Sequence, residues 1–204
     1  MSKTAAWILA ALLIFAAGFG TAWWLKPGPK VYLAPPEGMP QYAHDLIIGN
    51  PKAPKLGLYL SYQCPYCEEF YEACWEELRR DYVEPQKLCL VLRLIPGPGH
   101  PNELRAVRYL QCISPEFLPE AHEALQEWKG RDSLWPEKAL TNYQSPELKA
   151  CIAKDAVRRS VLAAQIQSEE DGIHLTPSFW FPTKVVMGYE GKKAFFDRVK
   201  EMVE

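Results

Sequence analysis

The sequence predicts an α/β domain interrupted by a helical block and preceded by one N-terminal transmembrane helix. Three features of its 204 residues carry that reading. Residues 5–25 are uncharged and overwhelmingly apolar. A strand–helix–strand unit surrounds the run Gln63-Cys64-Pro65-Tyr66-Cys67. A helical stretch, residues 102–172, separates this unit from a closing hairpin and helix.

The N-terminal run reads AAWILAALLIFAAGFGTAWWL. At ~1.5 Å per residue it spans about 30 Å, the thickness of a bilayer hydrocarbon core. Trp23, Trp24 and Lys26 have the chemistry of an interfacial anchor. Gly20-Thr21-Ala22 offers small residues at which a signal peptidase could cut. The run exceeds a usual signal-peptide core, however, so an uncleaved signal-anchor over residues 1–25 is expected. Lys3 faces Lys26 and Lys30 across it, and charge alone does not orient it. Six cysteines suit an oxidising compartment, which places the domain on the extracytoplasmic side. Residues 26–44 hold prolines 27, 29, 35, 36 and 40 and should form an extended, semi-rigid spacer. A net charge of −2 without a basic patch gives no support for nucleic-acid binding.

Residues 45–204 suffice for one domain with a full core. Residues 56–62 read as a strand and 68–80 as a helix, whose Cys67, Phe70, Cys74 and Leu78 fall at core-facing spacing. Residues 87–94 (KLCLVLRL) are a near-continuous apolar strand, as expected when both faces are covered. The resulting βαβ unit should cross over right-handed. Within the helical block, Ser145-Pro146 is a sound helix start and Gly172 a stop. Asp155 is expected to cap the long last helix of the block, with Val157, Val161 and Ala164 along one side. Residues 177–181 and Lys184–Met187 read as a hairpin, and Lys192–Val203 as the closing helix.

Two cysteines separated by two residues, where a strand gives way to a helix, are placed for thiol–disulfide exchange. The helix N-terminus favours the thiolate of Cys64, and Pro65 suits a first-turn position that needs no N–H donor. Cys64 would be the exposed nucleophile and Cys67 the buried resolving thiol. A zinc half-site competes, but no second CxxC or Cys/His pair at similar spacing is present. A soft-metal carrier also competes, though no methionine-rich or histidine-rich tract accompanies the pair. Redox exchange calls for no metal and no cofactor, because the cysteines carry the electrons. Cys74 and Cys89 read as reduced, core-facing thiols.

Four segments in order resemble the thioredoxin superfamily, and within it the Dsb-type oxidoreductases of bacterial cell envelopes. They are Ile48-Gly49-Asn50-Pro51-Lys52-Ala53-Pro54, the Cys64–Cys67 run, Arg93-Leu94-Ile95-Pro96 with His100-Pro101, and Thr176-Pro177-Ser178-Phe179. The resemblance implies a thioredoxin fold with a helical insertion at about residues 97–172. It implies a cis peptide before Pro177, and substrate contact by Pro65, Tyr66, Thr176 and Pro177. It also implies a structural disulfide between Cys112 and Cys151. His174 is close enough in sequence to reach this site, though a solvated loop position competes. The implied location is the inner membrane, single-pass, with the domain in the periplasm. The implied partners are protein thiols or disulfides and a membrane oxidase or reductase. The sequence departs from the family at Leu58, where a buried carboxylate often stands. Tyr66 replaces the histidine of strongly oxidising members, and the following helix carries Glu68, Glu69, Glu72, Glu76 and Glu77. Tyr66 and the glutamates together predict a milder oxidant. A tethered chaperone on the same scaffold is the alternative.

Overall fold

The computed structural model describes residues 28–97, 99–130 and 132–204. The expected anchor, residues 1–25, lies outside them. No helix among the described residues is long and apolar enough to cross a membrane.

The strands of the described residues form one sheet in the order β1-β6-β5-β3-β4-β2. They are β1 (Lys30–Leu33), β2 (Leu46–Gly49), β3 (Lys55–Leu60), β4 (Cys89–Leu94), β5 (Ser178–Trp180) and β6 (Lys184–Met187). The β3–β4 pair is parallel and the other pairs are antiparallel. β3 and β4 lie inside the sheet and are covered on both faces, which explains their near-continuous hydrophobic sequences. Leu56, Leu58 and Leu60 join Leu90, Leu92 and Leu94 in the larger core. Tyr59 points to the opposite face, where it packs with Ile173, Trp180, Val185 and Met187.

Helix α1 connects β3 to β4 and covers residues 65–83. It begins as Pro65–Phe70 and passes through two π turns, Tyr71–Trp75 and Arg79–Val83, on either side of Glu76–Leu78. It therefore starts and ends about three residues outside the expected span. Cys67, Phe70, Cys74 and Leu78 form its buried stripe. Five α-helices of the described residues then fill the insertion: α2 (Pro101–Leu110), α3 (Leu118–Trp128), α4 (Trp135–Ala139), α5 (Pro146–Ile152) and α6 (Asp155–Glu170). The Ser145 hydroxyl accepts the Leu148 N–H at 3.1 Å and caps α5. Asp155 does not cap α6. Lys154 holds the extended boundary position, and Asp155 lies in the first turn, where its charge suits the helix dipole. Gly172, at φ +77°, ends α6 in a backbone conformation that favours glycine. A disulfide joins Cys112, after α2, to Cys151 in α5, with Cα atoms 5.9 Å apart. Cys74 and Cys89 are buried free thiols. The closing helix, α7, is Lys192–Val203.

The segment expected to be an extended, semi-rigid spacer is docked on the domain over its described length. β1 pairs with β6, Lys30 opposite Met187. Met39 reaches the sheet where Gly57 leaves room; a Cβ there would lie 2.5 Å from the Met39 sulfur and 2.9 Å from Trp180 Cβ. Arg93, 2% exposed, completes the lock. Its guanidinium binds Asp45 at 2.6 and 2.9 Å, Asp171 at 3.1 Å, and also the Tyr59 hydroxyl and the Pro40 carbonyl. Proline density keeps this segment extended, and an extended chain is also what a sheet edge accepts.

Candidate active site

Cys64 occupies the boundary position before α1, in extended backbone conformation, with Pro65 in the first turn. Its carbonyl accepts the N–H groups of Cys67 and Glu68, both at 3.1 Å. Its half-buried sulfur lies 3.1 Å from the Thr176 carbonyl. A hydrogen bond from the Cys67 thiol is the main influence that brings the Cys64 thiol down to about 5. Burial opposes this. Thr176 and the backbone N–H groups of Cys67 and Tyr66 assist it. At neutral pH the sulfur is therefore a thiolate. Cys67 is 1% exposed. Burial pushes its thiol far up, and the Cys64 anion adds to the shift. The Ser61 N–H approaches the Cys67 sulfur at 3.5 Å. The arrangement sets a half-buried thiol of depressed pKa beside a buried thiol of raised pKa, the pairing that thiol–disulfide exchange uses.

The Thr176-Pro177 peptide is cis. Strand β5 follows directly and pairs with β3, so the loop lies at the same end of the sheet as Cys64. The Pro177 carbonyl accepts the Gly188 N–H at 2.8 Å. Tyr66 is exposed beside it. Phe179, Trp180 and Phe181 are buried core residues rather than groove walls. His174 is exposed. It lines a cleft of about 830 Å³ with Ser61, Leu162, Ile166, Leu175 and Thr176. A second cleft of about 650 Å³ lies on the other flank, lined by Tyr66, Thr176, Met187, Tyr189 and residues 28–30. The structure thus brings Cys64, Pro65, Tyr66, Cys67, Thr176 and Pro177 together. It leaves Cys112 and Cys151 in the helical insertion, bonded to each other.

Sequence reasoning missed two buried groups behind the pair. Leu58 is fully buried and apolar, so β3 supplies no carboxylate. A carboxylate arrives from α2 instead: Glu103 accepts the N–H of Tyr62 at 2.5 Å and of Gly97 at 3.1 Å. Its spacing to Ala106, Val107 and Leu110 was the available signal, because those positions share one buried helix face. His122 is the other. Buried among Tyr62, Tyr71 and Trp75, it is pushed down to about 3 by burial, and its Nδ1 pairs with the Tyr62 hydroxyl at 2.7 Å.

The family model described as Thioredoxin matches residues 42–200. The chain belongs to the thioredoxin family. A curated relative from Rickettsia prowazekii (strain Madrid E), provisionally named a protein-disulfide oxidoreductase, is 23% identical over 172 residues. That match covers 79% of this chain and 61% of the relative, so the chain spans under two thirds of that protein's length. Among solved structures, alpha-DsbA1 of Wolbachia pipientis superimposes with a TM-score of 0.65 at 19% identity, over 80% of this chain and 92% of that one. The catalytic domain of Proteus mirabilis ScsC gives 0.64 at 20% identity, over 80% and 91%. BdbD from Bacillus subtilis gives 0.63 at 15%, over 81% and 94%. These likenesses establish a DsbA-like thioredoxin fold with a helical insertion.

Proposed function

We propose that this thioredoxin-family chain is a thiol–disulfide oxidoreductase acting on cell-envelope proteins through Cys64 and Cys67. The observation that carries the proposal is the Cys64 sulfur, held as a thiolate at about 5 beside a buried protonated partner. In the oxidising direction, a substrate thiolate attacks Cys64 of the Cys64–Cys67 disulfide. A mixed disulfide forms, and Cys67 leaves as a thiolate that takes up a proton. A second substrate thiolate then attacks the substrate sulfur. Cys64 departs as a thiolate, and the substrate holds the new disulfide. The reverse sequence reduces a substrate. A leaving thiolate of low basicity favours handing the disulfide on.

Pro65, Tyr66, Thr176 and Pro177 form the contact surface, and an extended substrate pairs with the Thr176 backbone as an added strand. Exposed Leu162, Ile166 and Leu175 beside this edge support docking of an unfolded segment. Residues 5–25 tether the domain to the inner membrane on its periplasmic side, where a membrane oxidase or reductase resets the pair. The apolar run and the cysteine usage support that location.

The test is a Cys67→Ala trap in cells. Mixed disulfides on Cys64, reversed by reductant, are expected. Their absence from a folded, expressed variant would overturn the exchange reading. Activity that survives Cys64→Ala with Cys67→Ala would favour holding of unfolded chains instead. Digestion of the domain by protease in intact spheroplasts is expected, and protection there would refute the location.

A further inference from the structure

The two clefts beside Cys64 share the Thr176 loop. A third, of about 520 Å³, lies between α1 and α3 and does not include that loop. Its walls carry the carboxylates of Glu68, Glu72 and Glu76 from α1 and of Glu123 and Glu127 from α3. The spacing of the first three places them along one face of α1. Tyr71 and Trp75 lie between them, their ring centroids 5.2 Å apart and their planes 17° from parallel. The Trp75 indole N–H donates to Glu123 at 2.9 Å. Cations answer only part of this charge. Lys129 pairs with Glu68 at 3.1 Å, and Arg79 reaches Glu123 at 3.1 Å and Glu76 at 3.5 Å. Glu72 forms no ion pair among the described residues. Gln126 stands in the same wall, 6% exposed, and its amide oxygen has no hydrogen-bond partner among the described residues. A buried, unpaired amide oxygen is costly, and rotation about the last side-chain bond turns it toward a donor in the cleft.

Carboxylates and an unpaired amide oxygen together suit an occupant that is positive and rich in donors. A bare metal ion does not fit, because no three acidic, histidine or cysteine side chains of the described residues converge closely enough to hold one. A guanidinium does. It is planar and weakly hydrated, carries donors around its edge and lies well against aromatic rings. We propose that the cleft between α1 and α3 is a subsite for an arginine side chain of the polypeptide that exchanges disulfides at Cys64. The inference rests on the oxidoreductase reading above and adds a client preference to it. The Cys64 carbonyl accepts the Glu68 N–H, so the cleft begins one helical turn from the reactive residue. At ~1.5 Å of rise per residue, Glu68 lies about 6 Å and Glu76 about 18 Å along α1 from Cys64. An extended client spans those distances in about two to six residues. An arginine at that separation from the client's cysteine enters the cleft. The stacked Tyr71–Trp75 pair supplies its aromatic wall, Glu72 and Glu76 accept its N–H groups, and the Gln126 oxygen accepts one more.

Oxidation of synthetic peptides by the full chain, held in neutral detergent with Cys64 and Cys67 disulfide-bonded, reads the preference. Each peptide has one cysteine and, a few residues to either side, an arginine, a lysine or the neutral isostere citrulline. Peptide in excess consumes the protein's disulfide, and acid-quenched samples are followed by mass spectrometry. Rates are divided by those of the same peptides with a small aromatic disulfide, which removes differences in thiol acidity. At low salt the arginine peptide should react about five- to tenfold faster than its citrulline partner, and faster than the lysine peptide. Glu72→Gln combined with Glu76→Gln should bring the arginine-to-citrulline ratio below about twofold. Gln126→Met removes the acceptor without changing charge and should lower the ratio by about twofold or more. Glu120→Gln removes an α3 charge outside the cleft and should keep the ratio. Near-ultraviolet dichroism establishes folding, and the exposed Glu72 and Glu76 keep the test in hand if Gln126→Met does not fold. Equal rates for arginine and citrulline, or for arginine and lysine, would overturn the assignment. So would a ratio that falls as much in Glu120→Gln as in the cleft variants. Failure of every peptide to consume the disulfide would sink the oxidoreductase reading, and this inference with it.

Discussion

Lowering the pH should remove the thiolate contribution to the stability difference between the reduced and oxidised forms, and the structure gives its size. Cys64 is depressed from an ordinary 9.0 to about 5. A depressed pKa stabilises the fold at pH values above the unfolded value, and that contribution is lost as pH falls through the folded value. At pH 7 about two of the four units of depression act, worth at most roughly 2.7 kcal/mol at ~1.36 kcal/mol per unit. The sulfur is half-buried, so solvent screening reduces this to about 1–2 kcal/mol. Cys67 is shifted upward and stays protonated in folded and unfolded chains alike over this range, so it adds nothing. The disulfide has no titrating sulfur, and its effect on the unfolded chain does not depend on pH. Urea unfolding of both forms at pH 7 and pH 4 isolates the thiolate contribution. The reduced form should gain about 1–2 kcal/mol relative to the oxidised form on going from pH 4 to pH 7. An unchanged difference would mean that Cys64 is an ordinary thiol and that the proposed chemistry lacks its basis.

The remaining predictions concern single groups. Cys67→Ala removes the largest influence lowering Cys64, so thiolate absorbance should titrate clearly above 5; a curve unmoved from the parent would show that the helix and Thr176 suffice. Arg93→Ala strands Asp45 and Asp171 in the interior, and should cost about 3–5 kcal/mol in urea unfolding. Paired Cys112→Ala and Cys151→Ala should lower stability by about 3–4 kcal/mol for a loop of this length while leaving the Cys64 titration in place. Ser145→Ala should cost about 1 kcal/mol by releasing the Leu148 N–H.

The elements that were legible in the sequence are those whose signal is hydrophobic. β3 and β4 announce themselves because both faces are covered. α7 has the expected bounds, Lys192–Val203, because Phe195, Phe196 and Val199 mark one buried face. The Cys64–Cys67 run and Thr176-Pro177 were visible because each needs a particular residue type. β1 was invisible for the opposite reason. All four of its side chains are exposed, so its pairing with β6 rests largely on backbone hydrogen bonds, which leave no trace in composition. Arg93 and Glu103 were hidden by their neighbours: each is a charge within an apolar pattern, and only tertiary partners explain it.

The docking of residues 28–45 bears on how the site is presented. Arg93 fixes Pro40 and Asp45, Gly57 admits Met39, and β1 continues along β6. The chain consequently enters the domain at Gly28 and Pro29, and these residues line the cleft that also holds Tyr66 and Thr176. Pro29 lies 3.4 Å from where a Cβ at position 188 would stand, and Gly188 in turn binds the Pro177 carbonyl. Residues 28–30 thus form part of the wall of the cleft beside the reactive sulfur. The segment that proline content marked as a spacer therefore contributes to the active-site cleft, through contacts that composition does not encode.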